Sequence, residues 1–76
     1  MTTVETVTRT KAAILAAIRS GEPRHSIAFR MNVPVAKVSE IHTAAKAVRE
    51  FQRRGVSPTV LYANFSDLLT KQECGL

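Results

Sequence analysis

Apolar residues recur along the chain at three- and four-residue intervals, and glycine and proline cut that pattern into four segments. In the first, Ile14, Leu15 and Ile18 share a face within Lys11–Ile18, and Ser20-Gly21 supplies the closing signal of a helix. Thr3, Thr8 and Thr10 are alternative caps for its start, and the threonines and valines around them are indifferent helix formers, so residues 1–8 are expected to be a flexible tail. Pro23 then suits the first turn of a short helix over 24–31, with Ile27, Ala28 and Met31 on its inner side. Asn32-Val33-Pro34 interrupts it. Asparagine tolerates the left-handed turn conformation, and the proline forces Val33 to be extended.

From Val35 to Arg54 nothing breaks a helix, and Val38, Ile41, Ala44, Ala45, Val48 and Phe51 form one apolar stripe. Gly55 ends it. Ser57 as cap and Pro58 in the first turn restart the chain, and Leu61, Phe65, Leu68 and Leu69 predict a fourth helix over 58–72. Strand-like alternation is confined to the ambiguous Val4-Glu5-Thr6-Val7. The expectation is a single all-α domain over 1–76 with four helices. The last helix serves either to close the core or as a dimer or partner interface through Leu61, Tyr62, Phe65, Leu68 and Leu69.

An eight-residue helix, a three-residue turn and a long second helix have the dimensions of a helix-turn-helix, here over 24–43. The residue types agree with that. Ala28 is small where the helices would touch, Asn32 tolerates the turn, and Val33, Val38 and Ile41 are apolar where the second helix must be pinned. The stretch Ile14–Ile41, with Ile27-Ala28, the Asn32-Val33 turn and Val38-Ser39-Glu40-Ile41, resembles the helix-turn-helix of phage and bacterial regulators and of transposase and site-specific recombinase DNA-binding domains. It departs from that family at Asn32, where glycine is usual, and at Pro34, where a capping Ser or Thr is usual.

The resemblance implies that the outward residues of the second helix, Val35, Ala36, Lys37, Ser39, Glu40 and Thr43, face base edges in the major groove. Arg24, His25 and Ser26 would then hold phosphate. The recognition helix continues well past that contact, as in homeodomain-like folds, and Lys46, Arg49 and Arg53 at i, i+3, i+7 would track the backbone.

Charge supports the same location. The 11 Lys and Arg against 6 Asp and Glu give a net +5, with +3 in residues 1–34, +3 in 35–54 and −1 in 55–76. A polyanionic partner is therefore expected to meet the first 54 residues. At 45% apolar and 22% charged residues a packed core is expected, although a domain of this size buries only about 60% of its unfolded surface. Dimerisation would add burial, and two copies would read more base pairs than one.

The other chemistry is sparse. His25, His42 and the single Cys74 make no zinc set, and Asp67, Glu73 and the serines lack partners at catalytic spacing, so neither cofactor, metal site, small-molecule substrate nor enzymatic activity is expected. The longest apolar run, Ala12–Ile18, has seven residues and cannot span a bilayer. With no secretory pattern at the start, a cytoplasmic, nucleoid-associated protein is expected. The sequence thus reads as a duplex-DNA-binding protein acting by occupancy as a small transcriptional regulator or accessory protein of phage or mobile-element type. The competing reading is an adaptor or inhibitor of the same shape whose partner is a protein, such as transcription machinery.

Overall fold

The structure, a computed structural model, describes the backbone of residues 4–76 and side chains from Thr10 onward. Among these residues all regular structure is helical: α1 (Val4–Arg19), α2 (Arg24–Met31), α3 (Val35–Arg53), α4 (Pro58–Phe65) and α5 (Lys71–Cys74). None is long and apolar enough to cross a membrane.

Two boundaries differ from the sequence expectation. The first helix begins at Val4, ahead of the start near Thr8 that the sequence suggested. The propensity penalties of Val and Thr are tenths of a kcal/mol each, too small to stop a helix nucleated by the Lys11–Ile18 run. The rest of the expected tail, residues 1–3, lies outside the described residues. At the other end, the expected helix over 58–72 is two helices separated by a turn at 66–70.

The second correction has an identifiable cause. Thr70 adopts an extended conformation and its hydroxyl accepts a hydrogen bond from the Glu73 N–H at 3.2 Å, capping α5. Thr70-Lys71-Gln72-Glu73 is the spacing of a capping box, a start signal competing with continuation of α4. Leu69, in this turn, and Cys74, in α5, are both fully buried. Thr70→Ala is expected to cost about 1 kcal/mol and to lower Tm by roughly 4–8 °C, with Thr70→Ser near the parent, as read by thermal circular dichroism. A Tm unchanged in the alanine variant would show that the cap does not hold this turn.

The core is formed by Ile14, Leu15 and Ala17 from α1, Ile27 and Ala28 from α2, Val38, Ile41, Ala44, Ala45 and Val48 from α3, Leu61 from α4, and Leu69 and Cys74 beyond it. The expected stripe on α3 is thus buried, save Phe51, which is 37% exposed. Of the five apolar residues expected on the last helix, Leu61 and Leu69 close the core, while Tyr62, Phe65 and Leu68 pack partly against it.

Polar ties fasten the C-terminal segment to α1 and α3. The Lys11 ammonium donates to the Ser66 carbonyl at 2.7 Å, satisfying an end group of α4. Arg19 forms an ion pair with Glu73, and Gln52 donates to the Glu73 carbonyl at 3.3 Å. Burial also pushes the Cys74 thiol above its ordinary pKa, which holds it in the neutral, unreactive form.

Candidate nucleic-acid interface

The turn between α2 and α3 sets the geometry of the candidate surface. Asn32 sits in the left-handed region at φ 56° and ψ 48°, the only described non-glycine residue with positive φ. Its N–H and that of Val33 return to the Phe29 and Ala28 carbonyls at 3.3 and 3.0 Å, closing α2 as glycine closes other helices. Pro34, extended at ψ 144°, then directs the chain into α3. Neither Pro23 nor Pro34 provides a side-chain cap, so the first amides of α2 and α3 have no side-chain acceptor. Such amides suit phosphate oxygens.

Of the six α3 residues expected to face bases, Val35, Ala36, Ser39, Glu40 and Thr43 fall on the side away from the core, whereas Lys37 is in line with the buried Ile41, Ala44 and Val48 and is exposed in the first turn of the helix. Val35, Ala36, Lys37, Glu40 and Thr43 are exposed and Ser39 is half-buried. Val35 is 47% exposed. The Arg24 guanidinium donates to the Ser39 hydroxyl at 3.1 Å, which joins the start of α2 to the outer face of α3. Arg24 also borders, with His42, Thr43 and Lys46, an open groove of about 470 Å³ between the α1–α2 junction and α3.

The expected phosphate contacts divide into two groups. Arg24, His25 and Lys46 are exposed and carry no ion pair among the described residues. Ser26 and Arg53 are instead engaged within the molecule. The Ser26 hydroxyl donates to Glu22 at 3.1 Å, and Glu22 is also clamped by Arg30 at 2.7 Å. That hydrogen bond holds the Glu22 carboxyl below its ordinary pKa and raises Arg30 in return. Arg53 and Arg54 share Glu50, at 2.9 and 3.6 Å.

Lys46, Arg49 and Arg53 share one side of α3, but Lys46 and Arg49 border different grooves. Successive helical residues turn by about 100°, so Arg49 is displaced by roughly 60° from Lys46. It borders a separate groove beside Arg19, Gln52 and Glu73. The result is a sharper pattern than the sequence suggested. Lys37, Lys46 and Arg49 have no acidic partner and Arg24 meets only a hydroxyl, so four of the six described cations without a carboxylate partner lie between residues 24 and 49, a stretch that also holds Glu40 outside any ion pair; the other two are Lys11 and Lys71.

Two features escaped the sequence reading. Phe29 on α2 is 91% exposed, beside His25, Ser26 and Arg30. Its position opposite Ile27, Ala28 and Met31 on the helical wheel was the available signal. Apolar grooves also run along α4. One of about 440 Å³ joins Ser39, Glu40 and Thr43 to Phe65 and Leu68, and one of about 400 Å³ is bounded by Phe51, Val56, Val60, Leu61 and Phe65. No group of three or more His, Cys, Asp or Glu side chains that could hold a metal occurs among the described residues.

Compared with protein-family models, curated proteins and solved structures, the chain matches none.

Proposed function

We propose that the protein binds duplex DNA, with α2 and α3 acting as a helix-turn-helix and the N-terminal half of α3 as the recognition helix. The observation that carries this reading is the pair of exposed cations without carboxylate partners, Arg24 and Lys46, that border one groove beside α3, with Lys37 exposed in the first turn of that helix. In this reading Lys37 donates to guanine O6 or N7, Ser39 and Thr43 bond base edges, and Glu40 accepts from a cytosine amino group. Val35 and Ala36 offer apolar contact to a thymine methyl. Arg24 and the uncapped amides of α2 take phosphate and fix register. With no catalytic constellation in this reading, the protein acts by occupancy, excluding or recruiting other proteins at its site as a small regulator or accessory protein.

The test is fluorescence anisotropy with a mixed-sequence duplex pool at two salt concentrations, with Lys37→Glu beside the parent. Steep weakening with salt and at least a tenfold loss in the variant are expected, since one bidentate base contact is worth about 1–3 kcal/mol. No binding at low salt by a folded +5 protein would overturn the reading. The exposed Val35 and the apolar groove joining Ser39, Glu40 and Thr43 to Phe65 and Leu68 favour the second reading, a protein partner on this face. In that case Val35→Ser or Tyr62→Ala abolishes the interaction and Lys37→Glu does not.

A further inference from the structure

The groove that Arg24 and Lys46 border has a third basic side chain in its wall, His42 of α3, which is half-buried. The Arg24 guanidinium rests on the Ser39 hydroxyl, three residues before His42, and Lys46 follows four residues after it. On a helix these offsets are about one turn either way along the same side, so the imidazole lies between two exposed cations. Its ring has no hydrogen-bond or ion-pair partner among the described residues. The acidic groups nearby do not offset this charge. Among the described residues Glu22, at the α1–α2 junction, is the one carboxylate bordering the groove. Arg30 holds both its oxygens, at 2.7 and 3.2 Å, and Ser26 donates to one of them at 3.1 Å. Glu40 borders the groove toward Phe65 and Leu68 instead. Helix α1 contributes the apolar Ile18, and Arg49, two turns beyond His42 on α3, is a further cation without a carboxylate partner.

From this placement we propose that His42 is a third phosphate contact in the groove, made as the imidazolium, so that the protein takes up a proton when it binds duplex DNA. The proposal rests on the DNA reading above and adds its regulation by pH. Histidine is the side chain whose charge changes between about pH 5 and 8, whereas a phosphodiester stays fully negative throughout that range. A phosphate entering between Arg24 and Lys46 brings its negative charge to a ring that otherwise faces only cations and the neutralised Glu22. As the imidazolium, both ring nitrogens donate. Because binding then favours the protonated ring, protonation favours binding by the same factor, and affinity rises as pH falls. The other histidine, His25, lies outside this groove, beside Ser26, Phe29 and Arg30.

The experiment is fluorescence anisotropy of the full chain with a mixed-sequence duplex pool at about pH 6 and about pH 8 and fixed ionic strength. His42→Gln, His42→Arg and His25→Gln are run beside the parent, each checked for parent-like helicity at both pH values. The parent is expected to gain about fivefold in affinity from the higher to the lower pH, the scale set by one proton taken up at a histidine. Its salt slope is expected to steepen by up to about 0.9 over the same interval, since one more phosphate is neutralised. His42→Gln is expected to bind alike at both pH values, near the parent's weaker affinity. His42→Arg, whose charge does not titrate, is expected to bind at the higher pH as the parent does at the lower. His25→Gln is expected to keep the pH dependence. DNA binding that is indifferent to pH, that keeps its pH dependence in His42→Gln, or that loses it in His25→Gln overturns the proposal and leaves the DNA reading standing. Absence of binding at both pH values overturns the DNA reading and the proposal with it.

Discussion

Leu69→Ala is expected to lower the unfolding free energy by about 2–5 kcal/mol, the range for truncating a fully buried leucine. Leu69 has no solvent exposure, lies in the turn between α4 and α5, and donates its N–H to the Phe65 carbonyl at 2.8 Å. Its methyl groups therefore fill the seam where the C-terminal segment meets the core, and truncation leaves a cavity that the short turn cannot readily collapse. The consequence is magnified by size. A single core in a chain this short supplies only about 3–5 kcal/mol in total, so the variant would hold a substantial unfolded population at 25 °C. Guanidinium unfolding followed by circular dichroism measures the loss, with Leu76→Ala as reference. Leu76 is 56% exposed, and its truncation is expected to stay within about 0.5 kcal/mol. A Leu69→Ala loss as small as that of Leu76→Ala would mean that residues 66–76 are not part of the cooperative unit.

Leu69 also marks where sequence periodicity ceased to be informative. Leu61, Phe65, Leu68 and Leu69 satisfy one long helix as well as a helix followed by a turn, because the spacing that defines a helical face is also met by residues a turn gathers from outside it. The deciding information was a polar one, Thr70 with Glu73 three residues later. At the α2–α3 turn the balance was reversed. Asn32, Val33 and Pro34 each restrict the backbone by their own covalent structure, so the left-handed residue and the extended proline were legible without knowing any partner. The all-helical class and the α3 stripe were legible for a similar local reason.

What the sequence could not express was which charges cancel. Arg19 meets Glu73 across 54 positions, and Lys11 reaches a backbone carbonyl on the far side of the chain. Glu22 is claimed by Arg30 and Ser26 together, and one carboxylate, Glu50, serves two arginines. Net charge by segment treats all these cations alike. In the folded chain only some of them remain for a partner, and that selection depends on tertiary contacts.

The selection gives the second large effect, in the salt dependence of DNA binding. Each phosphate neutralised contributes about 0.9 to the slope of log affinity against log salt. Arg24→Gln and Lys46→Gln are each expected to reduce the slope by about that amount and to weaken binding severalfold or more at low salt. Arg53→Gln and Lys11→Gln are expected to leave it near the parent value, because Arg53 is paired with Glu50 and Lys11 is spent on the Ser66 carbonyl. The four variants remove the same single charge, so a diffuse attraction between a +5 protein and a polyanion would change all four slopes alike. Lys11→Gln is expected to reveal itself instead in a lower Tm, since it leaves an end carbonyl of α4 without its donor. Anisotropy titrations from about 50 to 200 mM salt span the range in which such slopes are resolved. Equal slopes across the set would reject the assignment of Arg24 and Lys46 as phosphate contacts, while the predicted split would fix the duplex over the groove that these two residues share with His42 and Thr43.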